Sequence, residues 1–373
     1  MSTLKVTNIE SPSGGGVNAK ITDINGGQLS NRNLIYNGAM TVSQRGTSGS
    51  TTSGGSYPSL DRWSCNDGGI ADFTVSQSTD APGGFAYSAK WACTATGSPT
   101  NDAFHEQKLE GQDIQHLEYG TSSAKSFTVS FWVKSNKTGQ YSLWIENADA
   151  NRYFTTTGYT INAANTWEFK TITVPGDTAG SGFTNDNGVS LKIRWHLVLR
   201  TSFQGTPSGA WSTSASLRGQ SGHVNLADST SNEWYITGVQ AEVGEVATAF
   251  EHRSFGDELA RCQRYYNMVA KGNGATMLNF AVYATNNAYG VLNFPVHMRA
   301  TPTVDSSDGT GHFQFSSAAA QDNFDTLVAG NGSERAIEFR ANSSGGLGIG
   351  TAGNAGWVRL TDASAFIGVT AEL

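Results

Sequence analysis

Along most of this chain apolar and polar residues alternate with a period of two, in short runs bounded by Gly, Asn or Pro. Runs at 71–77, 84–94, 126–134, 140–147, 152–160, 166–174, 189–199 and 232–243 follow one another in this way. Side chains at i and i+2 share one face of a strand, so alternation marks strands with one buried and one solvated face. The clearest is Phe127-Thr128-Val129-Ser130-Phe131-Trp132-Val133-Lys134. The number and spacing of these runs predict an antiparallel jelly-roll sandwich over residues 33–253. Runs at 276–284, 288–294, 311–316, 334–341, 357–361 and 364–371 predict a second, smaller β-sandwich over 272–373.

Three stretches depart from the alternation. Residues His105 to Leu117 break it and read as a polar, solvated loop carrying one short helical turn. Residues 254–271 read as the linking helix. Ser254 stands three before Asp257, an N-cap with an acid at its N3 position, and two early acids suit the positive end of the helix dipole. Phe255, Leu259, Cys262, Tyr266 and Val269 then recur at spacings of four and three. That seam has two destinations, packing against a sheet or three-fold association with other copies. In residues 1–32 two short alternating pieces (Leu4, Val6, Ile9 and Val17, Ala19, Ile21) flank Ser11-Pro12-Ser13-Gly14-Gly15-Gly16. Such a segment buries too little surface to order itself, so it reads as an extended docking arm held by a neighbouring copy or another protein. The class is all-β.

Composition supports a folded chain. Its 44 glycines and 15% charged residues are the signature of turn-rich β structure, and nine Trp, twelve Tyr and eighteen Phe supply more buriable surface than a disordered chain carries. A formal net charge of −7 and a pI near 5.5, with no basic stripe, argue against a nucleic-acid partner. No apolar run approaches the ~20 residues a bilayer-spanning helix needs, so membrane insertion and a signal peptide are not expected. Cys65, Cys93 and Cys262 are too few and too scattered for a disulfide framework or metal knuckle and read as small core residues of a protein made in a reducing cytosol.

The motifs with catalytic associations each lack a required part. Gly348-Ile349-Gly350-Thr351-Ala352-Gly353 matches a dinucleotide fingerprint, but too few residues follow it for the βαβ unit that chemistry needs, so it reads as a turn. His105-Glu106 lacks the second histidine of H-E-x-x-H, because Leu109 occupies that place. Glu106, Glu110, Asp113 and Glu118 are near enough in sequence for paired carboxylate chemistry, yet acids so spaced on a polar segment read as a solvated face. The expectation is a protein that is not an enzyme and has no cofactor. Asp and Asn at strand ends are donors that a structural calcium ion accepts, without a loop motif to assign ligands.

Aromatic residues in polar loops carry the better functional signal. Sugar rings present C–H faces that stack on aromatic planes, while Asn, Asp and Gln bond the hydroxyls. Trp211, Trp357 and Tyr57 are the candidate glycan-binding residues, each with the alternative of folding down as a lid on the core. Trp63, Trp132, Trp144, Trp167, Trp195 and Trp234 lie in predicted strands and read as core.

Two motifs carry a family resemblance. Near the start, Asn33-Leu34-Ile35-Tyr36-Asn37-Gly38-Ala39-Met40 and Gln44-Arg45-Gly46 precede Tyr57-Pro58 and Asp61-Arg62-Trp63. Later, Trp234-Tyr235-Ile236-Thr237-Gly238-Val239-Gln240-Ala241-Glu242-Val243-Gly244 runs into Phe250-Glu251-His252-Arg253-Ser254-Phe255 and the helix. With the strand at 127–134 and the terminal Val369-Thr370-Ala371-Glu372-Leu373, these resemble tail-fibre and other receptor-binding virion proteins of tailed bacteriophages, marine and cyanobacterial ones above all, which carry a carbohydrate-binding-module-like jelly roll. The resemblance implies a virion protein that attaches to host-surface glycan, assembles as a homotrimer and docks on other virion proteins through its N-terminal arm. It leaves two alternatives open, a structural decoration or collar piece and a glycan-degrading tailspike.

Overall fold

A computed structural model of the chain describes residues 30–284, 287–318, 321–342 and 352–373. The docking arm expected at 1–32 lies outside the described residues apart from 30–32, as does the start of the Gly348–Gly353 turn. The chain runs through β1 (Ser48–Ser50), β2 (Ser64–Asn66), β3 (Asp72–Ser78), β4 (Ser88–Ala95), β5 (Ala103–Glu110), β6 (Phe127–Ser135) and β7 (Gly139–Asn147). There follow β8 (Arg152–Thr155), β9 (Tyr159–Ile161), β10 (Glu168–Val174), β11 (Val189–Val198), the short pair β12 (Gln204–Gly205) and β13 (Gly219–Gln220), and the long β14 (Glu233–Val243). One sheet has the order β1-β3-β4-β14-β6-β10 and the other β2-β5-β11-β7-β8 with β9 also on β7, antiparallel throughout.

The alternation explains which faces meet. Phe127, Val129, Phe131 and Val133 of β6 are all buried, as are Trp91, Trp234 and Ile236 beside them and Ile193 and Trp195 opposite. Trp63, Trp144, Trp195 and Trp234 are buried as expected. Trp132 and Trp167 are not; both are only partly buried, and Trp132 packs against the exposed Phe169 on the outward face, since it is out of phase with the inward residues of its own strand. Between Thr237 and Gln240 the register of β14 shifts at Gly238, whose φ of +61° and contact with the Phe85 ring, 2.6 Å from where a Cβ would stand, leave room for glycine alone.

Residues 105–117 correct the reading of a solvated loop. Ala103–Glu110 is the paired strand β5, followed by two 3-10 turns at Gly111–Asp113 and Gln115–Leu117. The strand was concealed by its polarity, because His105, Glu106, Gln107 and Glu110 are all buried in it. His105 stacks on Trp63 at 4.5 Å. Glu106 bonds Arg194, and Glu110 takes a bidentate pair from Arg264 at 2.8 and 2.7 Å.

The helix is likewise shorter than its pattern. α1 spans Phe255–Gln263, capped by Ser254, whose hydroxyl accepts from the Asp257 N–H at 3.2 Å. The chain then enters a strand, β15 (Tyr266–Lys271), so Tyr266 and Val269 are not helical. Cys262 and Tyr266 are fully buried within their own chain while Phe255 is 60% exposed. The five positions therefore form no single helical stripe, and the seam read from their spacing is not continuous. Pairing of β15 with the last strand overrides the local spacing.

The second sandwich continues with β16 (Thr276–Ala284), β17 (Asn287–Asn293), β18 (Thr303–Ser306), β19 (Phe313–Ser317) and β20 (Gln321–Phe324). It ends with β21 (Thr326–Gly332), β22 (Ala336–Asn342), β23 (Ala355–Leu360) and β24 (Phe366–Thr370). A sheet β15-β24-β18 packs on a sheet β20-β19-β23-β16-β17-β22-β21 around Phe280, Phe313, Phe315, Phe339, Val358 and Ile367.

The two motifs that carry the resemblance meet in space. The Asn37 side chain donates to Val42 O and Asp61 O, and Trp63 Nε1 donates to Asn37 O. Asn33 accepts from Ala241 N–H of β14, and Glu258 of α1 accepts from Asn37 N–H. Arg62, 1% exposed, pairs with Glu372 and lies 3.4 Å over the Tyr265 ring. Gln44 Nε2 donates to Tyr266 O at 2.7 Å, and Arg299 donates to Ala371 O and Glu372 O. The Arg62 and Gln44 contacts join the two sandwiches. Burial pushes the Asp61 carboxyl up to about 6, against the bonds it receives from Gln44.

Candidate functional site

The open surface of interest lies on the outer face of the seven-stranded sheet. In β16, Phe280 and Val282 turn into the core while Asn279, Ala281 and Tyr283 point out; in β17, Ala288 and Gly290 turn in while Tyr289 and Val291 point out. Tyr283 is 79% exposed and Trp357, on β23, is 45% exposed. Val291 and Val328 share the same face.

Strand register places these residues. Trp357 is opposite Asn279, and Ala281 is opposite both Ala355 and Tyr289. Tyr289 is in turn opposite Arg340, and Arg340 opposite Val328. Trp357 and Tyr289 stand two strands apart, about 10 Å across the sheet at the usual strand spacing. The small Ala281 between them leaves a hollow of about 530 Å³ bounded by Tyr283, Tyr289 and Glu338. Its aromatic wall is the Tyr283–Tyr289 pair, 5.7 Å apart and edge to face.

Polar groups surround that wall. Arg340 lies 5.3 Å over the Tyr289 ring and donates to Glu338 at 2.7 Å, a bond that raises its own pKa. Arg359 donates twice to Gln314 Oε1, at 2.9 and 2.6 Å. Asn279 adds a free-standing amide in the exposed row. The arrangement therefore offers flat apolar rings flanked by donors and acceptors, the combination that binds a molecule with apolar faces and hydroxyl edges.

Of the three residues singled out from the sequence, Trp357 alone is on this open face. Trp211 packs partly buried against the first core, with its indole N–H donated to Pro175 O at 2.8 Å and its ring against Tyr119 and Phe154. Tyr57 spends its hydroxyl on Leu373 O at 2.9 Å and belongs to the junction. The acids weighed for paired carboxylate chemistry are not one solvated face, since Glu106 and Glu110 are buried in ion pairs. His105 is buried too, with its pKa pushed down to about 3 by burial, so it is no surface metal ligand. Among the described residues no group of three or more His, Cys, Asp or Glu is placed to hold a metal ion, and no helix is long and apolar enough to cross a membrane. Tyr283, Tyr289 and Arg340 were missed. Their signal was present, because each falls on the polar phase of a strand whose other phase is Phe, Val or Ala.

No protein-family model matches this chain, and no curated protein does. Some solved structures superpose on part of it. The enzymatically active domain of the bacteriophage CBA120 tailspike protein 4 aligns over 57% of this chain and 21% of its own, at 14% identity and a TM-score of 0.30. The CBM22-1 xylan-binding domain of Paenibacillus barcinonensis Xyn10C aligns over 50% of this chain and 87% of its own, at 10% identity and a TM-score of 0.29. The family 11 carbohydrate-binding module of Clostridium thermocellum Lic26A-Cel5E covers 54% and 99%, at 15% identity and a TM-score of 0.27.

Proposed function

We propose that this chain is a non-catalytic attachment protein that recognises glycan on the outer face of its distal sheet, in the setting of a phage virion. The observation that carries this reading is the outward-facing set of Trp357, Tyr283 and Tyr289 on one sheet face with Asn279, Glu338 and Arg340 among them. A Tyr left 79% exposed on the face that also carries a half-exposed Trp adds little to stability, and exposed apolar patches mark interaction sites. The virion setting rests on the sequence motifs, which here build the junction rather than the binding face. The binding role fits the acids as well, since Glu106 and Glu110 are held by Arg194 and Arg264 and are not free to act as acid and base. Several copies on one particle would turn a weak contact into firm adhesion by avidity.

A second reading has its own observation. Val291 and Val328, 60% and 43% exposed on the same face, are better suited to packing against protein than against sugar, as a decoration or collar piece would require. A glycan array separates the two. Wild-type protein is expected to bind a subset of bacterial surface glycans, with the signal lost in Trp357→Ala and in Tyr289→Ala while both variants melt as wild type does. No binding to any glycan, together with capture of another virion protein by this face, would establish the second reading.

A further inference from the structure

The first sandwich holds a cavity of its own, remote in sequence from the distal face. It has a volume of about 470 Å³, within the range of small-molecule sites, and opens between the turns after β5 and the segment before β11. Its floor is Tyr119 and Phe183, both buried, with rings stacked at 4.7 Å and 25°. Its rim is polar and exposed: Gln115, Glu118, Thr121 and Ser123.

Three features indicate a cavity that is built rather than left over. Glu118 is held in the left-handed region, at φ 56° and ψ 30°, which a non-glycine residue adopts at a cost, and its carboxylate pairs with Lys125 at 3.0 Å. Gly120, at φ +78°, approaches the facing segment so closely that a Cβ would stand 2.5 Å from Gly182 N, so a side chain there would close the gap. The Tyr119 hydroxyl is buried with no hydrogen-bond partner, and burial followed by the nearby Asp177 carboxylate holds its pKa well above the ordinary phenol value. Trp211 enters here: its ring meets Tyr119 edge-on at 5.6 Å and braces the floor from behind.

We infer that this cavity is a second recognition site, which takes a single saccharide unit, its apolar ring face toward Phe183 and Tyr119 and its hydroxyls toward Glu118, Gln115, Thr121 and Ser123. The inference rests on the glycan-binding reading of the protein but not on the distal face. A chain-end sugar entering the cavity and a longer run of sugars lying on the distal sheet would be read by two sandwiches joined by the Arg62–Glu372 pair.

The test is calorimetric titration of the full chain with a panel of free monosaccharides (glucose, galactose, mannose, rhamnose, N-acetylglucosamine, glucuronate), in wild type, Ser123→Trp, Glu118→Gln and Trp357→Ala. Ser123 is an exposed rim position, so the Trp fills the cavity without touching the core. At least one monosaccharide should bind wild type and Trp357→Ala within twofold of each other, and should weaken at least tenfold in Ser123→Trp and severalfold in Glu118→Gln. Wild type that binds none of the panel, or Ser123→Trp that binds as wild type does, overturns the proposal. The distal reading fails separately, when adding Trp357→Ala to the cavity-filled Ser123→Trp variant does not weaken oligosaccharide binding further.

Discussion

The junction and the outer face of the distal sheet use similar residues to opposite ends. At the junction Arg62, Tyr265, Glu372 and Glu110 are buried, each charge has a partner and each ring is covered. On the distal face Trp357, Tyr283, Tyr289 and Arg340 are three aromatics and one charge, and the Trp357 and Tyr283 rings are left open. The motifs that carry the resemblance thus lie at the contact between the two sandwiches, whereas the surface proposed to bind lies outside them. Breaking the junction should therefore cost stability and leave local binding chemistry alone, and stripping the distal face should do the reverse.

The largest expected effect is at the junction. Arg62→Met leaves Glu372 buried with Arg45 alone at 3.3 Å, and removal of one partner from a buried pair costs about 3 to 5 kcal/mol. In calorimetric unfolding the variant should melt well below wild type, with the two sandwiches unfolding in separate steps. A single transition at the wild-type temperature would mean that the pair is not what joins them.

Acid should act on the first sandwich in the same direction. His105 and His223 are buried with pKa values pushed down to about 3, so in the folded state they stay neutral where the unfolded chain takes up protons. Stability from such groups is complete above pH 6.5 and is lost as pH falls, about 2 kcal/mol for each by pH 5. Asp61 works the other way, since a carboxyl raised to about 6 in the folded state gains a proton there first and contributes about 1 kcal/mol on acidification to pH 5. The histidines outweigh it. Denaturant titrations at pH 7 and pH 5 should show a net loss of about 3 kcal/mol; equal stabilities would contradict the burial of both histidines.

Two tryptophans sharpen the comparison. Trp357→Ala should leave the melting temperature nearly unchanged and cost about 1 to 2 kcal/mol of glycan binding, in the way of exposed aromatic contacts. Trp211→Ala removes a partly buried ring and its hydrogen bond to Pro175, and should cost about 2 kcal/mol of folding stability while distal binding stays intact. Melting curves and host-cell adsorption measured side by side decide both. The smallest effect belongs to Phe255→Glu. With no continuous helical seam, this exposed substitution should shift stability by no more than about 0.5 kcal/mol and leave the light-scattering mass unaltered. A fall in that mass would restore the seam.

Much of the fold was legible because most strands obey the rule of two. Phe127 to Lys134 announces its buried phase locally, and nothing elsewhere in the chain overturns it. β5 was not legible, because what makes His105, Glu106 and Glu110 tolerable inside is supplied by Trp63, Arg194 and Arg264, the last 154 residues away. The helix end was hidden for a related reason: Tyr266 and Val269 continue the spacing of α1 by coincidence, and pairing with β24 decides their conformation. At the distal face Trp357 was found as an aromatic in polar company. Tyr283 and Tyr289 were passed over because an aromatic in a strand is usually core, and only their phase against Phe280 and Val282 shows that they face out.

Hydroxyl-radical footprinting with a bound oligosaccharide, selected on a glycan array, tests the central claim most directly. Oxidation of Tyr283, Tyr289 and Trp357 should fall severalfold on binding while Phe169 and Phe255, exposed elsewhere, react as before. Unchanged oxidation of all three distal aromatics in the presence of saturating glycan would contradict it.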